Sequence, residues 1–431
     1  MSAIFWHRRD LRIEDNAGLY KALKNTKEVQ PIFIFDKNIL DKLPKNDQRV
    51  LFIHSYLSKL KKAYQEVGSD VKVFYGKPLE IIPQLAVEWE VDTVFTNRDY
   101  EPYALERDKR MFELLKEKNI DFQGAKDHVI FEKNEVLKND GLPYTVFTPY
   151  SRKWKEKLTD FYLSSYPVEK YLNQLVQCEQ SDLVSMEELG FESQQHIDFP
   201  TQDFNEKIIK SYAETRDIPS IVGTSRLSLH LRFGTISMRK LARLAKQLNE
   251  TYLNELIWRD FYQMILFHFP HSAKSAFKKQ YERITWEHDE THFHAWCAGK
   301  TGYPLVDAGM RELNATGFMH NRVRMVVASF LTKHLLLDWR LGEAYFAEKL
   351  MDFELASNVG GWQWAAGCGC DAAPYFRVFN PISQQEKFDP DFKYIKKWVP
   401  EYGTETYPKP IIEHKFARER CIARYKNGLN E

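Results

Sequence analysis

The sequence predicts an α/β domain followed by an all-helical domain. In residues 1–131, short apolar runs alternate with amphipathic stretches, whereas from residue 201 onward the periodicity is helical. Strand and helix patterns that alternate at this spacing favour a doubly wound parallel sheet. A length of 431 residues is consistent with two or three domains. We therefore predict an α/β domain at 1–131, an interdomain linker at 132–200 and a helical domain at 201–431.

The composition bounds the function classes. Hydrophobic residues make up 43% of the chain and charged residues 28%, which is ordinary for a globular protein with a large core. Aromatic residues reach 14%, which fits stacking on planar ligands or bases, although an aromatic-rich core gives the same value. The net charge is only +1. Binding to nucleic acid must therefore depend on a local basic face rather than on a polycationic surface.

Metal sites, disulfides and membrane insertion have little support in the sequence. The five cysteines are scattered, and the pair Cys368 and Cys370 has no second pair to complete a zinc or iron–sulfur site. The cluster His288, His292 and His294 lacks the HExxH spacing. The chain shows no apolar run of membrane length and no signal-peptide core. We therefore expect a cytoplasmic protein with no metal and no membrane partner.

Five apolar runs predict the strands of the sheet. They are Ala3–Trp6, Gln30–Phe35, Val71–Tyr75, Val91–Thr96 and Val129–Phe131. Between the second and third runs, Arg49–Val67 has apolar residues at helical spacing and predicts a long helix. No GxGxxG motif follows the first run, so the usual dinucleotide fingerprint is absent.

The segment 132–200 has a looser pattern than its neighbours. Its polar stretch Gln174–Gln195 predicts a connection that crosses the surface between the domains. The tail from Pro381 runs polar and ends soon after the helical pattern stops, so we expect no extended carboxy-terminal region.

Two helical stretches carry mixed polar faces. Within Tyr252–Phe269, a carboxylate, an indole, a guanidinium and a phenol share one face, opposite an apolar face; they belong to Glu255, Trp258, Arg259 and Tyr262. An ordinary surface pair of Glu and Arg at i and i+4 is the alternative explanation. Within the second stretch, Gly317–Leu337, one face carries Asn321, Arg324, Met325 and Ala328.

Two further stretches have the character of ligand sites. Three hydroxyl residues and an arginine in 224–228 precede an apolar run, where they can gather backbone N–H groups around a pyrophosphate; a plain helix N-cap explains them equally well. In Asp352–Pro381, the glycine pair 360–361 allows the backbone to lie against a flat ligand. Asp352, Glu354 and Asn358 can contact the heteroatoms of such a ligand. A buried turn with packed aromatics remains the alternative.

The run NxGGWQWAAGxGxDAAPYFRxFNP resembles the flavin-site signature of the DNA photolyase/cryptochrome family, and it is closest to the bacterial class I cyclobutane-dimer photolyases. The resemblance covers nearly the whole chain and is densest from Tyr212 to Asp389. It implies light-driven DNA repair, in which excited reduced FAD donates an electron to a flipped-out pyrimidine dimer. A cryptochrome-type photoreceptor that signals through a partner is the alternative, and a non-enzymatic DNA-binding module leaves the flavin signature unexplained.

The resemblance also implies residue roles. The FAD-binding residues are Tyr212, Thr224, Ser225, Arg226, Leu227, Ser228, Arg324, Asp352, Glu354 and Asn358. The DNA-binding residues are Arg216, Glu255, Trp258, Arg259, Tyr262, Asn321, Arg322, Met325, Trp364 and Gln384. The catalytic residues are Glu255 at the lesion, Asn358 facing the flavin N5, and the electron relay Trp286, Trp339 and Trp362. In the family Arg324 pairs with Asp352. Glu354 stands where relatives usually have aspartate, so its flavin contact is less secure.

Three expectations complete the prediction. The partner is UV-damaged DNA, bound by a monomer, and Arg216, Arg259 and Arg322 form part of a phosphate-facing patch. Asn321 and Met325 occupy the positions where relatives specific for (6-4) photoproducts carry histidines, which favours cyclobutane dimers as substrate. A second, antenna chromophore of folate or deazaflavin type can occupy the N-terminal domain near 97–101. Its identity is open, because Tyr103 and Ala104 replace the Asn–Glu pair of folate-binding relatives.

Overall fold

The computed structural model describes residues 2–193 and 198–430, which group into two compact units. The first unit comprises Met1–Glu132, Lys157–Asp203 and Arg226–Lys246, and the second comprises Lys133–Glu156, Phe204–Ser225 and Gln247–Glu431. These limits differ from the predicted domains, because residues 133–156 group with the second unit and 226–246 with the first. The end of the predicted polar connection, Gln194 and Gln195, lies outside the described residues.

A five-stranded parallel sheet forms the centre of the first unit. Its strands are β1 (Ser2–His7), β2 (Glu28–Asp36), β3 (Lys72–Gly76), β4 (Thr93–Asn97) and β5 (Asp121–Ala125). They lie side by side in the order β3-β2-β1-β4-β5, with Phe5 opposite both Pro31 and Phe95. The order reverses between β1 and β4, as in a doubly wound fold. The predicted α/β fold and the first four strands are confirmed.

The predicted fifth strand is wrong. The edge position beside β4 is taken by β5, whose half-buried sequence DFQGA mixes the polar Asp121 and Gln123 with Phe122 and Ala125. An edge strand of this kind carries no continuous apolar run, so it gives a weak sequence signal. Val129, Ile130 and Phe131 lie outside the strands and are almost fully buried, because they fill the core instead of pairing with the sheet.

Helices cover both faces of the sheet and form most of the second unit. Up to residue 250 they are α1 (Ala17–Asn25), α2 (Lys37–Leu40), α3 (Gln48–Gln65), α4 (Pro78–Glu88), α5 (Pro102–Lys116), α6 (Phe147–Lys157), α7 (Asp160–Leu163), α8 (Glu206–Lys210), α9 (Tyr212–Thr215), α10 (Ser228–Phe233) and α11 (Met238–Leu248). They continue as α12 (Glu250–His268), α13 (Glu290–Cys297), α14 (Pro304–Thr316), α15 (Asn321–Ser329), α16 (Trp339–Lys349), α17 (Leu355–Ala366), α18 (Pro381–Phe388), α19 (Lys393–Trp398) and α20 (His414–Asn430). Short 3-10 turns occupy Val168–Gln174, Pro270–Ala273 and Lys279–Arg283. Within the described ranges, no helix combines the length and apolarity needed to cross a bilayer.

The long helices that carry the candidate site have clear start and stop signals. The predicted helix Tyr252–Phe269 is confirmed as α12, which begins where the Asn249 side chain accepts a hydrogen bond from the Tyr252 N–H. The predicted helix Gly317–Leu337 is wrong at its start. Gly317 ends α14 with a φ of 65°, a left-handed conformation that glycine adopts without strain. Helix α15 starts only at Asn321 and continues as a π-helical turn over Phe330–His334.

Candidate functional site

Two helices of the second unit, α12 and α17, approach each other through a glycine. A Cβ atom on Gly360 would lie 2.3 Å from the ring of Tyr262, so only glycine permits this contact. A Cβ atom on Gly361 would have no neighbouring atom within 4 Å. The expectation that both glycines border a flat ligand is therefore wrong for Gly360, which serves helix packing. Of the two glycines, Gly361 borders open space.

A buried ion pair joins the same two helices. Arg259 of α12 donates from Nε and Nη2 to the two carboxylate oxygens of Glu354, at 3.0 and 2.8 Å. Both side chains are less than 10% exposed. Such bidentate pairs fix geometry strongly. Arg259 is thus held inside the unit by a carboxylate and does not join a phosphate-facing surface, contrary to its predicted place in the arginine patch.

A second ion pair links α15 to the segment before α17. Arg324 Nη2 lies 3.2 and 3.1 Å from the two oxygens of Asp352, and its Nε donates to the carbonyl of Met319 at 2.7 Å. The Asp352 side chain is 7% exposed and that of Arg324 is 25% exposed. The Arg324–Asp352 pair implied by the family resemblance is present.

The side-chain amide of Asn358 is oriented by a residue that sequence reasoning missed. Asn358 Nδ2 donates to Oε1 of Glu343 at 2.9 Å and to its backbone carbonyl at 3.1 Å. Burial raises the pKa of Glu343, and the hydrogen bond from Asn358 partly opposes this shift. With its NH₂ group used by Glu343, Asn358 keeps Oδ1 as an acceptor. Glu343 lies in α16, where no local pattern marks it.

The residues around α17 fit a flavin. Glu354, Ser357, Asn358 and Gly361 are spaced three or four apart and therefore share one side of the helix. This side combines a carboxylate, a hydroxyl and an amide with the open space beside Gly361. The donor and acceptor set matches a flat ring with a polar edge, such as the isoalloxazine of FAD.

An aromatic stack covers one face of Trp258. Phe147, the first residue of α6, lies parallel to the indole with ring centroids 3.7 Å apart and an interplanar angle of 4°. The Phe147 N–H donates to Asp371 Oδ2 at 3.1 Å, and Tyr262 packs beside Trp258 at 5.4 Å. Both stacked rings are half-buried. Phe147 was missed because it lies in the predicted linker, where periodicity is weak.

Two pairs of opposite charge lie on the neighbouring surface. Arg216 Nη1 donates to Oε1 of Glu255, and Arg322 Nη2 lies 2.7 Å from Oδ1 of Asp217. Burial raises the pKa of Glu255, while Arg216 opposes the shift. Glu255 and the two arginines are the lesion- and phosphate-facing residues expected from the sequence. Asp217 was not expected to belong to this group.

The segment 224–228 does not form a plain N-cap. Helix α10 has Leu227 at its N-cap position, and the Leu227 side chain makes no capping hydrogen bond, so none of the hydroxyl residues occupies the N-cap. Ser225 Oγ is hydrogen bonded to the Tyr252 hydroxyl at 2.8 Å, and Tyr212 packs edge-on against Tyr252. The exposures differ along the segment: Thr224 and Ser225 are half-buried, Leu227 is buried, and Arg226 and Ser228 are exposed.

Comparison with known proteins identifies the family. Residues 3–170 match the DNA photolyase family, and residues 252–404 match the FAD binding domain of DNA photolyase. A deoxyribodipyrimidine photo-lyase from Synechococcus sp. is 35% identical over 98% of this chain and 96% of its own length. The chain belongs to the photolyase/cryptochrome family.

Solved structures of the family share the fold. A bacterial class III photolyase from Agrobacterium tumefaciens is 33% identical, with a TM-score of 0.87 over 100% of this chain and 98% of its own. A cryptochrome from Synechocystis sp. is 25% identical, with a TM-score of 0.83 over 98% of both chains. The fold of an α/β domain plus a helical FAD-binding domain is confirmed, while membership of class I stays a prediction.

The three tryptophans expected as the photolyase relay differ in environment. Trp362 and Trp339 are each 2% exposed, and Trp286 is half-buried. Trp362 packs against Phe346 at 5.0 Å and against Trp296 at 6.0 Å, a residue that the sequence did not single out. Among the described residues, no ring contact joins two of the three relay members. The relay stays a prediction.

The remaining DNA-facing residues are more dispersed. Asn321 is exposed at the start of α15, Gln384 is half-buried on α18, and Trp364 lies 6.4 Å from Phe379. No hydrogen bond or ring contact in the described parts of the chain connects Trp364 or Gln384 with Trp258. Within the same ranges, no group of three or more His, Cys, Asp or Glu side chains is arranged to hold a metal ion.

In the first unit, the side chains near the expected antenna site form hydrogen bonds and ion pairs with one another. The Tyr103 hydroxyl donates to Asp36 Oδ2 at 2.5 Å, and Arg9 Nη1 lies 3.1 Å from Asp99 Oδ1. Asp36 is the last residue of β2 and Asp99 follows β4, so both lie at the carboxyl ends of parallel strands, where α/β proteins bind ligands. Folate-binding relatives have an amide and a carboxylate at positions 103 and 104. Here Tyr103 replaces the amide, and its hydroxyl is used in the hydrogen bond to Asp36. An antenna chromophore stays a prediction.

Proposed function

We propose that this protein is a light-dependent deoxyribodipyrimidine photo-lyase that splits cyclobutane pyrimidine dimers in UV-damaged DNA, with FAD as its redox cofactor. The observation that carries the proposal is the combination, within one unit, of the polar side of α17 with the stacked pair Phe147 and Trp258. When bound, FAD supplies light-driven one-electron chemistry. The chain itself binds and orients the reactants.

Asn358, Arg324 and Asp352 are proposed to set the polarity around the cofactor ring. An amide does not ionise, so Asn358 presents the same acceptor at any working pH. Its orientation is supported by the two hydrogen bonds to Glu343. The proposed cofactor set also includes Glu354 and Tyr212, and the segment from Thr224, Ser225 and Arg226 to Leu227 and Ser228 for the diphosphate.

Trp258 is proposed to stack on the flipped-out dimer. Since Phe147 covers one face of the indole, a base stacks on the other, as in proteins that bind unpaired nucleotides. Glu255 is proposed to hydrogen bond the pyrimidines, and Arg216 and Arg322 to contact the flanking phosphates. Tyr262, Asn321, Met325, Trp364 and Gln384 complete the proposed DNA-facing set.

Cyclobutane dimers are the proposed substrate because Asn321 and Met325 stand where relatives specific for (6-4) photoproducts carry histidines. Asn321 and Met325 cannot act as general acids. His320 is 4% exposed, and its Nδ1 accepts the Arg322 N–H as the cap of α15. Burial lowers the pKa of His320 to about 4. It is therefore neutral at pH 7 and committed to the helix end.

A repair enzyme and a photoreceptor with this fold require different residues at the site. The cryptochrome-type alternative shares the FAD domain, but it does not require the paired acids and arginines beside a stacked indole. The presence of that set supports repair. We further propose a cytoplasmic monomer, since repair of an isolated lesion needs no second copy.

The test uses defined oligonucleotides and purified, reduced protein. One oligonucleotide carries a cyclobutane thymine dimer and a second carries a (6-4) product, each incubated under blue light and in the dark. We expect restoration of the first only, and only in light. Purified protein that contains no FAD and takes up none, or repair that proceeds equally in the dark, contradicts the proposal.

A further inference from the structure

Asp217 occupies an unusual place among the proposed DNA contacts. Its Oδ1 receives two hydrogen bonds from Arg322, from Nη2 at 2.7 Å and from Nε at 3.2 Å. The same oxygen lies 3.9 Å from Nε of Arg216. A single carboxylate oxygen thus lies between two arginines that are proposed to contact phosphate. The Asp217 side chain is 41% exposed, so this contact is open to competition from solvent and ligands.

Arg322 is held on its other sides as well. Its guanidinium carbon lies 4.4 Å above the ring of Phe388, and Nη1 lies 3.7 Å from the sulfur of Met325. These contacts leave the side chain only 17% exposed. Asp217 therefore keeps the Arg322 side chain packed against Met325 and Phe388, on the surface where a lesion is proposed to bind.

We propose that Asp217 is a specificity-determining residue that withholds Arg322 from the phosphates of undamaged DNA. This inference rests on the proposed function, because it assumes that the surface around Met325 receives a pyrimidine dimer. Damaged DNA contacts Arg322 while its guanidinium remains hydrogen bonded to Asp217. Undamaged DNA offers phosphates alone, and it can use Arg322 only after the guanidinium leaves its carboxylate partner.

The physical basis is the difference between non-specific and specific binding. Non-specific affinity comes almost entirely from phosphate contacts that release counterions. A carboxylate inside the arginine patch lowers this affinity, both by repelling phosphate and by occupying the guanidinium. Binding of the dimer adds stacking on Trp258 and hydrogen bonds to Glu255, so it depends less on an extra phosphate contact.

The test substitutes Asp217→Asn, which keeps the shape and removes the charge. The matched control is Glu214→Gln, because Glu214 is an exposed acid three residues earlier whose side chain makes no hydrogen bond or ion pair among the described residues. For D217N we expect about fivefold tighter binding to undamaged duplex, comparable to one exposed ion pair. The slope of log affinity against log salt should steepen by about 0.9, equivalent to one phosphate contact. Affinity for dimer-containing DNA should change less than twofold.

A double variant assigns the gain to Arg322. Because loss of the Asp217 charge also relieves repulsion of phosphate, D217N in an Arg322→Ala background should keep a gain of about twofold at most on undamaged DNA. Equal effects of D217N and E214Q, or a gain that keeps its full size without Arg322, overturn the inference. Wild-type protein that shows no preference for dimer-containing DNA overturns the proposed function instead. FAD absorbance of each variant reports that the fold is retained.

Discussion

Two arginine–carboxylate pairs in this protein combine the same chemical groups in different surroundings. Arg259 and Glu354 meet through two parallel hydrogen bonds, and both are less than 10% exposed. Arg322 and Asp217 meet through one carboxylate oxygen, and the acid is 41% exposed. A buried charge has no replacement partner once its own is lost, whereas an exposed charge can exchange its partner for water or phosphate. The buried pair of Arg259 and Glu354 therefore contributes to the stability of the fold, whereas the exposed pair of Arg322 and Asp217 can take part in DNA binding.

Truncating the arginine of each pair should separate them most clearly. In Arg259→Ala, the carboxylate of Glu354 stays buried without its partner, and we expect a loss of about 3–5 kcal/mol of unfolding free energy. In Arg322→Ala, Asp217 is solvated, and the loss should be about 1 kcal/mol or less. Urea unfolding of both variants measures the difference. Equal losses would show that the contrast in burial does not govern these pairs.

The glycine pair offers a second contrast between packed and open surroundings. Gly360→Ala places a methyl group against Tyr262, where overpacking typically costs about 1–3 kcal/mol. Gly361→Ala meets no neighbouring atom, and alanine is the better helix former, so without cofactor we expect an unfolding free energy about 0.5–1 kcal/mol above wild type. We expect Gly361→Ala to lower FAD affinity instead, measured by fluorescence titration of released flavin. A Gly361→Ala protein with unchanged FAD affinity argues against a flavin beside α17.

The sequence predicts elements with a regular apolar pattern better than features that depend on contacts between distant residues. The first four strands and α12 have regular apolar patterns, and these patterns report burial along one element. The fifth strand was predicted wrongly because β5 is a half-buried edge strand with no continuous apolar run, while the apolar residues 129–131 fill the core. The Arg324–Asp352 pair came from family resemblance and not from periodicity.

The missed site residues share one physical cause. Glu343, Phe147 and Asp217 act through contacts with residues 15, 111 and 105 positions away, respectively. No local propensity or periodicity depends on a partner at such a distance, because these signals arise within a single helix or strand. Only the folded chain shows that Phe147 stacks on Trp258.

Removing the ring that stacks on Trp258 should weaken DNA binding. Phe147→Ala takes away a face-to-face partner of Trp258, a type of contact worth about 0.5–1.5 kcal/mol beyond simple burial. We expect affinity for dimer-containing DNA to fall by about three- to tenfold, with FAD content and photoreduction unchanged. Phe161→Ala is the control, since Phe161 is 79% exposed. A Phe147→Ala protein with wild-type affinity contradicts a positioning role for the stack.

The smallest expected effect concerns pH, and it follows from the partly buried Glu255. Burial raises the pKa of Glu255 in the folded protein, against the opposing charge of Arg216. On lowering the pH, Glu255 therefore takes up a proton before an ordinary glutamate does, and it loses both its charge and its pair with Arg216. Affinity for the dimer should fall at a pH above the usual glutamate range.

Stability should change in the opposite direction over that range. A carboxyl group with a raised folded pKa binds a proton more readily in the folded than in the unfolded state, so its contribution to stability is largest at low pH and declines as pH rises through the folded pKa. Glu255→Gln removes the titrating group, and both dependences should flatten in this variant. Parallel titrations of dimer affinity and urea midpoint in wild type and E255Q measure them. If both quantities rise together with pH in wild type, or E255Q keeps the wild-type profiles, Glu255 is not the group that titrates.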